Sequence, residues 1–377
     1  MTLFERVKTP GPVGAGIMMQ PMGLSVLARL GVEKLVIERG ARVDRLLCEN
    51  EKGLAVVDLA YHAVDESYFG VGLHRGVLFE ALFHEVERSP VRLRTGVDLV
   101  RLRRAHHRRW LEDTDGALLG PFDLVVIADG ARSRLRESAS EAASDVTPYP
   151  WGALWYIADD PLGASSRMLH QRVRGTKHMV GLLPTGLGPG AGSTPQTSLF
   201  FSVRGSDVPS WRARGISAWR DHVVEIAPAA EGIVQRIASM EDLTYASYFD
   251  VRLSRWHGDG VVILGDAAHA MSPQLGQGCN LALYDAMVLN DALADGESLA
   301  EGLDLYTARR RQHLAFYQFA TRWLTPLFQS SLEPLGWMRD LGMSFASKFS
   351  FVEREMVRSM CGTKTGLLWG SLTLPKT

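Results

Sequence analysis

The sequence predicts an interrupted α/β fold. Two apolar runs, DLVVIADG at 123–130 and VVILGD at 261–266, each end in a glycine–carboxylate pair where a strand would meet a loop. Between them, residues 147–257 change texture to alternating aromatic-rich runs such as WGALWYIA, HMVGLLPTG and SLFFSVRG, the pattern of an antiparallel sheet inserted as a second domain. The expected division is a first α/β domain over 1–146, the inserted sheet over 147–257, a return to the first domain over 258–300 and a helical tail over 301–377.

The elements follow in order. The opening run MTLFERV has strand formers at Thr2, Leu3 and Phe4 and turns charged at Glu5 and Arg6. A Pro/Gly loop follows. Leu24, Leu27 and Leu30 then recur at helical spacing, with Gly31 where a helix end favours glycine. The runs KLVIERG, GLAVVDLAY and SYFGVGL between 33 and 72 suggest a small antiparallel excursion. HRGVLFEALFHEVE places Val77, Leu78, Ala81, Leu82 and Val86 on one helical face. VRLRTGVDLVRLRRA reads as strand, with a hairpin at TDG, and the fully apolar DLVVIADG reads as a buried strand. One helix is expected near SAWRDHVVEIA, and helices over the Arg-rich, aromatic tail.

Composition excludes several function classes. Lys plus Arg number 41 against 42 Asp plus Glu, so no whole-molecule field draws nucleic acid, and the single basic run RLRRAHHRRW lacks interleaved aromatics. Cys48, Cys279 and Cys361 are scattered, with no metal-ligand spacing and no disulfide framework, which fits reduced thiols in the cytoplasm. No apolar stretch approaches the roughly 20 residues needed for a transmembrane helix, and no signal peptide opens the sequence.

The segment VVILGDAAHAMSPQLGQGCNLALYDA at 261–286 carries the densest signal. Asp266 stands at the carboxyl end of a strand, where open α/β sheets bind ligands. A glycine loop then opens a helix near Gly278, whose free N–H groups and positive dipole end suit a negatively charged ligand. The stretch resembles the second FAD motif of the p-hydroxybenzoate hydroxylase family of aromatic hydroxylases, G-D-A-A-H-x-x-x-P followed by a glycine loop and Asn. Gly265, Asp266, Ala267, Ala268, His269, Pro273, Gly276, Gly278 and Asn280 fill that pattern. The similarity implies that Asp266 holds the ribityl chain and that Pro273 with the backbone Gly276–Gly278–Cys279–Asn280 borders the flavin ring. A capping or packing role suits His269 as well as a catalytic one.

DLVVIADGARSRLR resembles the family's D-G motif, which implies that Asp129 and Gly130 lie near the FAD pyrophosphate and the incoming nicotinamide nucleotide. Arg75 in HRGVL resembles the arginine of the family's H-R-x-x-L element, on the phosphate side; a surface ion pair is the plain alternative. GAGIMMQP at 14–21 is similar to the flavin-lining loop, so Gly16 and Ile17 would pass the ring edge.

Gly14-Ala15-Gly16 is not a dinucleotide fingerprint, since Pro12 interrupts the approach and Met19 stands where a third glycine belongs. The better ribose acid is Glu5, which ends the first strand. Roughly 30 residues carrying a strand, G-x-G-x-x-G and a helix are then expected ahead of it. The resemblance therefore implies a FAD-binding Rossmann-like domain of glutathione-reductase type without its first strand and helix, joined to a substrate sheet.

By the same resemblance, NADPH or NADH reduces bound FAD, O₂ is activated, and an aromatic or similarly electron-rich small molecule is hydroxylated. No side chain is singled out as a general base. Trp151, Trp155, Leu182, Pro184 and Phe201 are the expected pocket wall, with plain sheet core as the alternative. A related flavin reductase or halogenase and a flavin-free remnant are the competing functions; no W-x-W-x-I-P string of the halogenase type is present. The tail RWLTPLFQSSLEPLGWMRDLGMSF is expected to cap the nucleotide domain, with a homodimer or membrane-surface contact as alternatives.

Overall fold

The computed structural model describes all residues except 13, 106–107, 140–143, 161–162, 164–165, 348, 367–369 and 375–377. Two histidines of the basic run 101–110 therefore lie outside the described residues.

A seven-stranded sheet dominates. Its order is Thr244–Leu253, Ser144–Asp159, Pro195–Arg204, His178–Leu187, Met168–Arg174, Arg45–Asn50 and Ala55–Ala60. Every pairing is antiparallel except Met168–Arg174 with Arg45–Asn50. The sheet thus recruits two strands from 45–60, outside the 147–257 stretch, because the excursion from the first domain reaches over and adds to its edge. One face carries the kinked helix Val208–Ile226, whose Trp219 packs on Leu154, Leu182, Leu199 and Phe201 of the sheet. The other face receives the short strand Gly16–Met19 and the end of the long helix Leu299–Phe328.

The parallel strands stand in two separate pieces. Thr2–Glu5 pairs with Arg92–Thr95, and Val125–Ile127 pairs with Val261–Ile263. Their apolar faces are incompletely covered: Leu3 is 42% exposed and Val126 47%. Parallel strands are normally buried on both faces, so the fully buried strand expected at 123–130 is instead an edge with one open side.

KLVIERG is a helix, Glu33–Arg39, and not a strand of the excursion. Of Leu35, Val36 and Ile37 only Val36 is buried, and it joins Val32, one helical turn away, in the core beside Leu27 and Val71. A period of four residues thus overrides local strand propensity.

The helix Pro21–Arg29 runs against the glycine-loop helix Gly278–Asp295. Gly23 makes the crossing close, since a Cβ there would lie 2.1 Å from Asn280 Oδ1. The helix ends at Gly31, whose φ of 77° few other residues adopt. Among the described residues no helix is long and apolar enough to cross a membrane.

Gly23→Ala should overpack this crossing and cost roughly 1–3 kcal/mol. The urea midpoint reads the loss, and an unchanged midpoint would mean that the two helices separate freely.

Candidate functional site

The strand Val261–Ile263 runs out through Leu264 into Gly265, at φ 60° and ψ −148°. The chain then makes one helical turn, Asp266–His269, a tight turn at Pro273–Leu275 and a left-handed residue at Gly276 before the helix Gly278–Asp295 begins. Gln277, which precedes that helix, offers no side-chain cap, and the first turn holds no acid, so the helix start presents free N–H groups and a positive end. Asp266 is exposed at the rim, where a Cβ on Gly278 would lie 3.7 Å from its Oδ1. Burial pushes the Cys279 thiol up to about 11, with Arg75 opposing the shift and Asp266 adding to it. Asp266, Gly278, Cys279 and Arg75 thus surround one place.

Arg75 begins the helix Arg75–Arg88, which His74 caps by accepting the Gly76 N–H at 2.9 Å. Among the described residues no carboxylate forms an ion pair with Arg75, so the surface-pair alternative is not what the structure contains. Its stem passes Gly14, where a Cβ would lie 2.7 Å from Arg75 Cδ.

The other motif turns at Gly130, φ 86°, with open space where a side chain would stand, and leaves Asp129 exposed. Arg132, Ser133 and Arg134 do not join the two motifs. Arg132 bonds Ser247 at 2.9 Å, Arg134 pairs with Asp98 at 3.1 Å, and the Ser133 hydroxyl accepts the Arg136 N–H. The joining residue is Arg136, buried, which donates Nε to Ala267 O at 2.7 Å and Nη2 to Ala131 O at 2.8 Å and Gly130 O at 3.3 Å. The signal for it was faint: an arginine within the short helix Leu135–Ala139, between two residues that bury.

Asn280 is fully buried, and its amide is spent on backbone. Oδ1 accepts the Gln20 N–H at 2.9 Å, and Nδ2 donates to Met18 O at 3.0 Å and Gly276 O at 3.2 Å. It fixes the glycine loop against the segment after Gly16–Met19. One turn further along the helix, Asp285 reaches back beneath the strand end. Its Oδ2 accepts the Gly265 N–H at 2.9 Å and meets His269 Nε2 at 2.5 Å, while Oδ1 accepts Arg310 Nε at 2.7 Å. His269 is therefore a buried structural partner of Asp285. Arg310 also touches His313 Nδ1, and His313 Nε2 donates to Gly362 O at 2.8 Å.

On the side of the large sheet, Gly16 lies in close approach. Its N–H donates to Ser198 Oγ at 3.2 Å, and a Cβ would stand 2.6 Å from Ser198 Cβ and 2.7 Å from Thr185 Cγ2. Ile17 pairs with Leu73 on the neighbouring strand. Ser198 and Phe200 share a face, and Trp155 lies tilted against Phe200 with centroids 5.2 Å apart and donates Nε1–H to Tyr248 Oη at 3.3 Å. Burial pushes the Tyr248 phenol up to about 12, offset in part by Trp155 and Arg75, so it stays a protonated donor. Neither Tyr248 nor Phe200 is singled out by the sequence; bringing Phe200 beside Trp155 takes the pairing register of two strands, which no local pattern gives. Leu182 and Phe201 do not share this face, because alternation turns them under the helix Val208–Ile226. Trp151 lies nearly buried with Arg204 over its ring, and Pro184 gives its carbonyl to a tight approach at Gly72. Glu5 sits apart on the two-stranded sheet, its carboxylate accepting the Val7 N–H at 2.8 Å.

Residues 1–317 match the profile of the FAD binding domain family. The chain belongs to this family. It is 25% identical over 347 residues to a 3-hydroxybenzoate 6-hydroxylase of Klebsiella oxytoca, covering 85% of this chain and 80% of that one. It is 26% identical over 311 residues to an aurachin C monooxygenase/isomerase of Stigmatella aurantiaca, covering 82% and 78%. Its fold is that of Klebsiella pneumoniae HpxO, solved with FAD and uric acid, with a TM-score of 0.78 at 19% identity over 95% of this chain and 90% of that one. The chain is a flavin-dependent monooxygenase with FAD as cofactor and NADPH or NADH as co-substrate.

His313 makes stability depend on pH. Burial and then Arg310 lower its pKa to about 3 against the Gly362 carbonyl, which favours the charged form. The unfolded imidazole protonates near about 6.5, so between those values the unfolded state binds more protons and stability falls as pH drops, by up to about 1.4 kcal/mol per unit. A glutamine amide can donate to Gly362 O and accept from Arg310 without titrating. His313→Gln should therefore match the parent urea midpoint at pH 7.5 and lose less than the parent on transfer to pH 5; equal losses would refute the assignment.

Burial alone would raise the Asp285 pKa, but His269, Arg310 and the Gly265 N–H outweigh it and hold the carboxyl well below the usual range. Its contribution is present above the unfolded carboxyl pKa of about 4 and is lost as pH falls below it. Asp285→Asn leaves Arg310 buried without its anion and should cost about 3–5 kcal/mol at neutral pH. Chemical denaturation at pH 7 measures that cost, and a loss below about 1 kcal/mol would show the charge to be dispensable.

Proposed function

We propose that the chain hydroxylates an aromatic ring that carries an oxygen substituent, with the ring held between the flavin and the Trp155–Phe200–Tyr248 wall. The overall balance is ring C–H plus O₂, NAD(P)H and a proton giving ring C–OH, water and NAD(P)⁺.

The residues present fit FAD. An uncapped helix start, an exposed carboxylate at the preceding strand end and glycines that leave open space form a cradle for a flat ring and a polyhydroxyl chain. In this reading Asp266 accepts from ribityl hydroxyls, and Pro273 and the backbone Gly276–Asn280 border the ring, as Gly16 and Ile17 do from the other side. Arg75, Asp129 and Gly130 serve the phosphate and nicotinamide side, and Glu5 the ribose. When bound, FAD supplies the redox chemistry, taking two electrons from the nicotinamide and delivering them to O₂. The positive helix end favours added negative charge on the ring system.

For the substrate, one observation carries the reading: Tyr248 Oη already accepts from Trp155, so its own proton is left to donate. A ring oxygen is the acceptor that such a donor suits, and Trp155 and Phe200 provide the aromatic contact. The similar proteins named for 3-hydroxybenzoate and aurachin C favour the same class. Cytoplasmic residence with reduced thiols and a homodimer contact through the aromatic tail belong to this reading as well; Trp337, Leu341 and Phe345 are exposed there.

Purified protein supplied with FAD and desalted should keep flavin absorbance and oxidise NAD(P)H faster when a hydroxylated aromatic is added. Asp266→Ala should weaken FAD binding about tenfold or more, the size of a charge-assisted hydrogen bond. Tyr248→Phe should raise KM for the aromatic about tenfold and leave FAD affinity alone. A colourless parent protein would end the flavin reading, and an unchanged KM would remove Tyr248 from substrate recognition.

A further inference from the structure

The loop 265–277 is tied at both ends to a single turn near the C-terminus. At its far end, Gln277 donates Nε2–H to Met360 O at 2.6 Å. At its near end, Gly265 is held by Asp285, Asp285 by Arg310, and Arg310 by His313, whose Nε2–H donates to Gly362 O at 2.8 Å. Asp285, Arg310, His313 and Gln277 are each at most 2% exposed. The relay has one consistent direction: Gly362 O is only an acceptor, so His313 carries its proton on Nε2 and Nδ1 accepts from Arg310.

Gly362 is shaped for the junction. Its φ is 86°, and a Cβ would stand 2.8 Å from Met22 Cβ and 3.1 Å from Gln277 Oε1. Both routes end on backbone carbonyls, whereas the helix Ser350–Cys361 is held by side chains: Val357 packs with Val56, Tyr61 and Phe328 in the cluster that also takes the Met360 side chain.

We propose that Met360–Gly362, beyond the residues matched by the family profile, is a positioning element for the cofactor loop: it sets the spacing between Gly265 and Gln277 and hence the cradle between them. The proposal rests on the flavin reading for its ligand, but the loop clamp itself is independent of any ligand. These residues touch neither substrate nor ring and act through Asp285 and Gln277.

FAD dissociation constants would be measured by flavin fluorescence for the full chain and five variants, with melting temperatures alongside. His313→Leu, Gly362→Ala and Gln277→Leu each break one connection and should weaken FAD at least about tenfold. His313→Gln, which restores the donor and acceptor pair, and Val357→Ala, which lowers stability from the same helix without touching the loop, should stay within about twofold of the parent. In cofactor-free protein, amide exchange over 265–280 should accelerate in the first three variants and not in the last two. Loss of affinity in Val357→Ala equal to that in His313→Leu would reduce the turn to general stability and overturn the proposal, as would unchanged exchange over 265–280 in all five. A parent that binds no FAD yet shows the exchange pattern would refute the flavin reading alone and leave the clamp standing.

Discussion

The site depends on one buried charge. Asp285 is inaccessible to water, and a carboxylate in that position is tolerable only because Arg310, His269 and the Gly265 N–H converge on its two oxygens. The compensation is mutual, since the strand end at Gly265 would otherwise bury an unpaired N–H just where the chain turns through a glycine conformation. The exposed position of Asp266 follows: its neighbour is anchored inward, so its own side chain is turned out to the rim. A hydrophobic replacement of the network would pack as well but would not fix the direction of that turn.

The same economy governs the other joints. Asn280 uses its amide on three backbone groups and Arg136 its guanidinium on three carbonyls, so the loops that surround the site are held by side chains from below, while the groups that face outward are backbone N–H, glycine and Asp266. The large sheet is registered to this assembly at Gly16, where the absence of a side chain lets the strand lie on Ser198 and Thr185. A site composed this way owes its geometry to packing between elements far apart in the chain: Asn280 meets residues 18 and 20, and Arg136 meets residue 267.

That distance explains what the sequence could and could not reveal. The strand ends, the glycine loop and the helix starting at Gly278 were legible because each is a local pattern with a local cause. Arg136, Asp285 and the turn at Gly362 were not, because nothing in their neighbourhoods distinguishes a polar side chain that will be buried from one that will be solvated. The residues expected to form one wall divide between two faces of the sheet. Leu182, Phe201 and Trp155 were grouped by aromatic and apolar content, but a strand presents alternate residues to opposite faces, and the register that decides the face is set by partner strands. Glu33–Arg39 was mistaken for a strand for the same reason, since only the buried position of Val32 beside Val36 reveals a four-residue period.

Where the redox chemistry belongs to a cofactor, the protein's task is to hold a ring, present positive charge to it and donate to the substrate oxygen. In the proposed reading Tyr248 suits the last of these, because burial pushes its phenol up to about 12 and so keeps the proton on. Arg75 opposes that rise in the Tyr248 pKa and has no carboxylate partner among the described residues, which suits its proposed place on the phosphate side. The two residues come from the helix Arg75–Arg88 and the strand Thr244–Leu253, so the charge that acts on Tyr248 arrives from an element far away in the chain.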